Sequence, residues 1–171
     1  MKALFALAVL LAIVGLDASP AAAKIMRFTQ QGDTALIFHM PDDWITNIAI
    51  DTQAETLISP GNHGLVLLAV LAEDRSLDEV AAQAVNDAGG VADGPPRALA
   101  VSGKDAEAVI AQRAGNDGSL TLRLLVIRVD PHHIGLCMAL VPVDATPAQR
   151  ETAEAILDTI RVSPPDTSFG G

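Results

Sequence analysis

Apolar residues fall on both parities over three stretches of the chain, and these stretches set the expected architecture. In Leu120–Val129, Leu120, Leu122, Leu124 and Val126 share one parity, while Leu125, Ile127 and Val129 share the other. In Ile134–Val141, Ile134, Leu136, Met138 and Leu140 alternate with Gly135, Cys137, Ala139 and Val141. Leu65–Ala72 carries almost no polar residue. Successive strand side chains point to opposite sides of a sheet, so runs of this kind predict strands covered on both faces. Asp130-Pro131-His132-His133 predicts a reversal, because proline presets φ and has no N–H to give a ladder. The two runs on either side of it are expected to form the central hairpin of a sheet with helices on each side.

The rest of the pattern fills in around that hairpin. Lys24–Thr29 and Ala35–Met40 read as strands separated by a turn at Gln30-Gln31-Gly32-Asp33, and Pro41-Asp42-Asp43 ends the second. Trp44, the only tryptophan, is expected to anchor the sheet edge to the core, as buried tryptophans do. Ile45–Asp51 and Thr56–Ser59 are weaker strands, and Pro60-Gly61-Asn62-His63-Gly64 is turn chemistry. Ser76-Leu77-Asp78-Glu79 is a capping box opening a helix with Leu77, Val80, Ala81, Ala84, Val85 and Ala88 on one stripe, closed by Gly89-Gly90. Val91–Pro96 reads as a loop and Arg97–Val101 as a short strand. Ser102-Gly103-Lys104-Asp105 turns into a strand over Ala106–Ala114, and Gly115-Asn116-Asp117-Gly118 turns into the central pair. Thr146-Pro147-Ala148-Gln149 opens a second helix, with Ala153, Ile156, Leu157 and Ile160 inward and Pro164-Pro165 as its stop. The expected fold is α+β, a mostly antiparallel sheet flanked by helices on both faces. A single domain spans residues 24–163, and residues 164–171 form a flexible tail.

The first 23 residues read differently. Lys2 precedes an unbroken apolar run, Ala3–Val14, and Ala21-Ala22-Ala23 offers small residues for cleavage before Lys24. The run falls short of the ~20 residues that a spanning helix needs. The sequence therefore predicts a cleaved signal peptide, no membrane span after cleavage, and a periplasmic or secreted protein. The only cysteine is Cys137, so neither a lipidated cysteine at the cut nor an internal disulfide is expected.

Composition narrows the partners. Of 171 residues, 50% are hydrophobic, enough for a packed core, and the net charge is −10 with a sequence pI near 4.6. Lys2 and Asp17 cancel, so cleavage leaves that charge unchanged. The basic residues number only 11 and are scattered, and there is no tyrosine to stack on bases, which argues against nucleic acid. A charge of −10 exceeds the magnitude of roughly 2–8 that keeps a small domain soluble. Exposed acidic pairs can speed encounter with a basic partner. Asp42 and Asp43, and Glu73 and Asp74, are the candidate partner-binding residues.

Candidate chemistry is sparse. His63, His132 and His133 are weak metal candidates, since zinc sites show closely spaced ligand pairs and adjacent histidines on a turn splay apart. His133 and Cys137 share a strand parity, but four residues span ~13 Å, beyond hydrogen-bond reach. His39 is the other histidine that could approach Cys137, whose simpler reading is a packed, inert thiol. The sequence holds no nucleophile elbow, Walker loop or dinucleotide fingerprint. No catalytic residue and no cofactor is expected.

The order of elements resembles the PsbP/DcrB-like superfamily, small α/β/α sandwiches that include thylakoid-lumen photosystem proteins, bacterial envelope proteins and a nuclear Ran-binding protein. The resemblance rests on Phe38-His39-Met40-Pro41-Asp42-Asp43-Trp44, the Ser76-Leu77-Asp78-Glu79 helix and the closing Ala155-Ile156-Leu157-Asp158-Thr159-Ile160-Arg161-Val162. Asp43 stands where the family usually has glycine, and the aromatic residues common in its middle strands are missing. The resemblance implies a non-catalytic binding or assembly role. The expected function is an accessory protein of the bacterial envelope that binds another envelope or secreted protein. Two alternatives stand beside it: a small periplasmic metal-dependent hydrolase, and an immunity or inhibitor protein with an acidic binding face.

Overall fold

The computed structural model describes residues 23–29, 35–49, 54–114 and 118–163. Residues 1–22 of the expected signal peptide, the expected Gln30–Asp33 turn, Asp51, the Gly115-Asn116-Asp117 part of the expected turn and the expected tail from residue 164 lie outside the described residues.

The three doubly apolar runs become β5 (Leu65–Ala72), β9 (Leu120–Asp130) and β10 (His133–Pro142), which lie side by side inside an eight-stranded antiparallel sheet. Its order is β3 (Ile45–Ala49), β4 (Ala54–Ile58), β5, β10, β9, β8 (Lys104–Arg113) and β6 (Val91–Ala92), and β7 (Arg97–Val101) also pairs with β8. Strand β10 is central, with Cys137 opposite Leu68 on one side and Leu125 on the other. Where a loop was expected from Val91, two residues pair with Gln112 and Ala111 of β8, because Asp93 N–H also reaches Ile110 O and draws the segment in.

Two hydrophobic cores form, and β9 and β10 divide their residues between them by parity. Leu122, Leu124, Val126, Ile134 and Met138 pack with Val80, Ala81 and Val85 of helix α1 (Leu77–Asp87). Leu125, Ile127, Val129, Cys137, Ala139 and Val141 pack with Ala153, Ile156 and Leu157 of helix α2 (Pro147–Asp158). Both helices start where their boxes place them. Ser76 N–H donates to Glu79 Oε2 at 3.1 Å, and Thr146 N–H donates to Gln149 Oε1 at 2.9 Å.

The second core is closed by a separate sheet that the one-dimensional pattern did not announce. Strand β2 (Ala35–Pro41) leaves the large sheet and pairs with β1 (Ala23–Thr29) and β11 (Arg161–Ser163) in a three-stranded antiparallel sheet. Its inward residues Leu36, Phe38 and Met40 are fully buried in the α2 core. The close approach is made at Gly135, where an added Cβ would sit 3.4 Å from both Leu36 methyls and 3.3 Å from Val129 Cγ2.

The expected helix through Val162 is corrected here: α2 stops at Asp158. Thr159 Oγ–H donates to Ile156 O at 2.8 Å and its oxygen accepts the His39 backbone N–H at 3.0 Å, so Thr159 ties the helix end to β2. Val162 N–H then donates to Ser102 Oγ at 3.1 Å, and the chain continues as β11 instead of a further turn. Ile160 keeps its inward place, 1% exposed, but from the linking segment.

Candidate functional site

Two turns and the start of α2 meet at the end of the β3–β4 hairpin. In the first turn, Trp44 N–H donates to Pro41 O at 3.1 Å. That closure leaves Asp42 and Asp43 exposed at the tip and swings Trp44 into the core, where it is 4% exposed. In the second, Ser59 N–H donates to Gly64 O at 3.0 Å around a single 3-10 turn, Pro60–Asn62. Gly61 adopts φ 68°, a left-handed conformation that glycine takes without penalty, and a Cβ there would lie 2.9 Å from His63 Nε2. The histidine ring thus lies over the glycine, and His63 stays exposed.

Between these turns is a notch of about 270 Å³ open to solvent, lined by Asp43, Trp44, Pro60, His63, Gln149 and Thr152 among others. Ser59 Oγ also belongs to it, buried and without a hydrogen-bond partner among the described residues. Strand β3 starts at the mouth, with Ile45 63% exposed. The notch thus has largely apolar walls with a few polar groups, and it stands beside an acidic tip.

Glu73 and Asp74 occupy the other end of the molecule. They follow β5, whose Ala72 faces His133, whereas Leu65 at its start faces Leu140 near the notch. Seven residues of strand separate the two ends by about 23 Å. Glu73 was expected to project, but it is half-buried and paired with Arg75 at 2.5 Å. That hydrogen bond draws its pKa down to about 2. Arg128 donates to the carbonyl oxygens of Glu73, at 2.9 Å, and of Arg75. Asp74 accepts from or pairs with His132 Nδ1 at 3.0 Å, and Glu73 N–H donates to His132 O at 2.8 Å. The β5–α1 loop is therefore fastened to the β9–β10 turn, and of the four candidate acids only Asp42 and Asp43 have no side-chain partner among the described residues.

The histidines do not converge. His133 Nδ1 contacts Asp130 at 2.8 Å, His132 contacts Asp74, and His63 stands at the opposite end of β5. Among the described residues no group of three or more His, Cys, Asp or Glu side chains is placed to hold a metal ion. His39 is exposed on the outward parity of β2, between the buried Phe38 and Met40, so it does not approach Cys137. Cys137 is fully buried, and burial pushes its pKa far up. Native protein should leave this thiol unmodified by a disulfide reagent until urea unfolds it, and labelling at the rate of a free thiol in native buffer would contradict the burial.

The fastened loop carries a pH dependence. Asp74 raises the His132 pKa by hydrogen bonding and charge. A raised histidine contributes below its ordinary value of about 6.5, and the contribution is lost as pH rises through the raised one. Glu73 works in the other direction, contributing above about 4.3 and fading as pH falls toward 2. The His132 ring should titrate above pH ~6.5 by NMR and return toward it in Asp74→Asn. An unshifted ring in the native protein would mean that the pair does not form in solution.

A second concavity lies between α2 and strands β7–β9, where a groove of about 510 Å³ is lined by Arg97, Ala108, Ile110, Arg123 and Glu154. Arg123 is held by Asp158 at 2.6 Å, and Ile110 is 54% exposed. Nothing in the sequence pattern marked this groove, because its residues come from separate segments and carry no motif.

No protein-family model matches the chain, and no curated protein matches it. Solved structures do. LpqN of Mycobacterium tuberculosis, described as involved in cell envelope biogenesis, superposes with a TM-score of 0.60 at 16% identity, over 84% of this chain and 91% of LpqN. The cyanobacterial PsbP (CyanoP) of Synechocystis sp. PCC 6803 gives 0.59 at 10% identity, over 88% of this chain and 99% of its own. The chain carries the PsbP-like fold, as the order of its elements implied.

Proposed function

We propose that this protein is an exported accessory protein of a bacterial envelope that binds another protein and performs no chemistry of its own. The observation that carries the reading is the surface at the Trp44 end. There an exposed Ile45, an exposed Asp42-Asp43 tip and an open notch adjoin one another, as a docking surface requires and an enclosed reaction site does not. The fold shared with LpqN, itself tied to envelope biogenesis, and the apolar leader ahead of Lys24 support the location. The same reading takes the layering as helix, sheet, helix, supported by the division of β9 and β10 between two cores. A metal-dependent hydrolase would need its histidines together, and about 23 Å of strand between His63 and the His132–His133 turn weighs against that alternative.

The test is purification of affinity-tagged protein from the cells that make it, with mass spectrometry and metal analysis of the product. A protein partner in stoichiometric amount is expected, recovered less well from Asp42→Asn/Asp43→Asn cells. With that partner in hand, the double variant should associate more slowly and with a flatter salt dependence. Charge at the tip acts on encounter, and ~0.15 M salt screens it beyond about 8 Å. Stoichiometric bound metal with no protein partner would overturn the reading.

A further inference from the structure

Sheet edges offer unpaired N–H and C=O groups to any extended chain, and proteins guard them with charge, proline, shortness or cover. In the small sheet, β1 carries Lys24 and Arg27, and β11 is three residues long with Arg161. At one end of the large sheet, β6 has two residues and β7 begins with Arg97. The other end is β3, and it differs from all of these. Ile45-Thr46-Asn47-Ile48-Ala49 has neither charge nor proline, and no described strand pairs with its outer side. Its first residue is exposed, and at that end stand Asp42, Asp43 and the notch.

We propose that β3 is a docking edge, on which an extended segment of a partner protein adds as an antiparallel ninth strand of the large sheet. The partner's C-terminal end would lie beside Ile45. A lysine or arginine there meets Asp42 and Asp43, and an adjacent side chain enters the notch, where Ser59 Oγ has no hydrogen-bond partner among the described residues. Main-chain hydrogen bonds supply the affinity in this mode and the pocket supplies the selectivity. This rests on the protein-binding reading above and names the chemistry of its partner. A second copy of the chain fits worse. Each copy carries −10, and its β3 offers no lysine or arginine to Asp42 and Asp43, whereas a basic-ended segment is attracted.

The probe is a phage-displayed library of random dodecapeptides selected on the immobilised protein, with enriched peptides then titrated in solution by fluorescence anisotropy. Neighbouring residues of an antiparallel strand turn their N–H groups to opposite sides, so one of Thr46→Pro and Asn47→Pro removes an outward donor and leaves the β4 ladder intact. Asn47→Lys guards the edge without changing the backbone, should both proline variants unfold. Enriched peptides should combine alternating β-branched residues with a C-terminal Lys or Arg. The folded proline variant or Asn47→Lys should weaken them by about tenfold or more. Asp42→Asn/Asp43→Asn should weaken them and flatten the salt dependence, while Ile110→Arg in the other groove leaves them unchanged. Peptides indifferent to every β3 change overturn the proposal, and if Ile110→Arg abolishes them the binding reading survives at that groove. A library that yields no binder overturns strand docking, while recovery of a partner from cells judges the binding reading separately. A concentration-dependent dimer lost in Asn47→Lys would give the edge to a second copy and overturn it too.

Discussion

Trp44→Ala should destabilise the protein by about 3–5 kcal/mol, the range for removing a buried large aromatic side chain. That is a large part of the 5–15 kcal/mol that typically separates folded from unfolded states. Trp44 is 4% exposed and belongs to the core shared by β2, β5, β10 and α2. Its Cη2 would lie 3.6 Å from a Cβ placed on Gly64, beside Ala153 of α2. The side chain thus joins the β2–β3 turn to the helix and walls the notch. Trp44→Phe keeps most of the packed volume and should cost much less. Urea unfolding followed by circular dichroism decides it, because the variants lack the sole fluorophore. A loss under ~1 kcal/mol for Trp44→Ala would show that the ring does not hold this end together.

Leu36→Ala should cost about 2–5 kcal/mol, since Leu36 is fully buried and seats the small sheet on the large one at Gly135. Gly135→Val should also destabilise. Its Cβ meets Leu36 and Val129 at 3.3–3.4 Å, and overpacking costs about 1–3 kcal/mol, partly offset by the better strand preference of valine. The two substitutions exchange volume across one contact, so the double variant should be more stable than the sum of the singles implies. A coupling of about 0.5–3 kcal/mol is expected from denaturant midpoints. Strict additivity would mean that the two sheets do not meet there.

The parts of this fold that were legible in the sequence are those fixed by local periodicity. Leu65–Ala72 is β5 to the residue, the two capping boxes open α1 and α2, and the doubly apolar pair is the β9–β10 hairpin. The end of α2 was misread for a physical reason. Ile160 continues the helical stripe of Ala153, Ile156 and Leu157, and only the distant partners His39 and Ser102 show why the chain leaves the helix. The three-stranded sheet was hidden in the same way, since strand β2 alone does not say which strands it joins. Asp42, Asp43 and Asp74 are exposed, as turn residues project. The half-burial of Glu73 was not legible, because Arg128, which fastens its loop, lies more than fifty residues away in sequence. The notch joins residues 43, 63 and 149, a juxtaposition that no spacing rule contains.

The most direct measurement is site-specific photo-crosslinking in the cells that make the protein, with p-benzoylphenylalanine in place of Ile45 and, separately, of Ile110. The expected result is a discrete adduct with one other protein from position 45, reduced by Asp42→Asn/Asp43→Asn, and none from position 110. No adduct from position 45, or one from position 110 alone, would contradict a protein-binding surface at the Trp44 end.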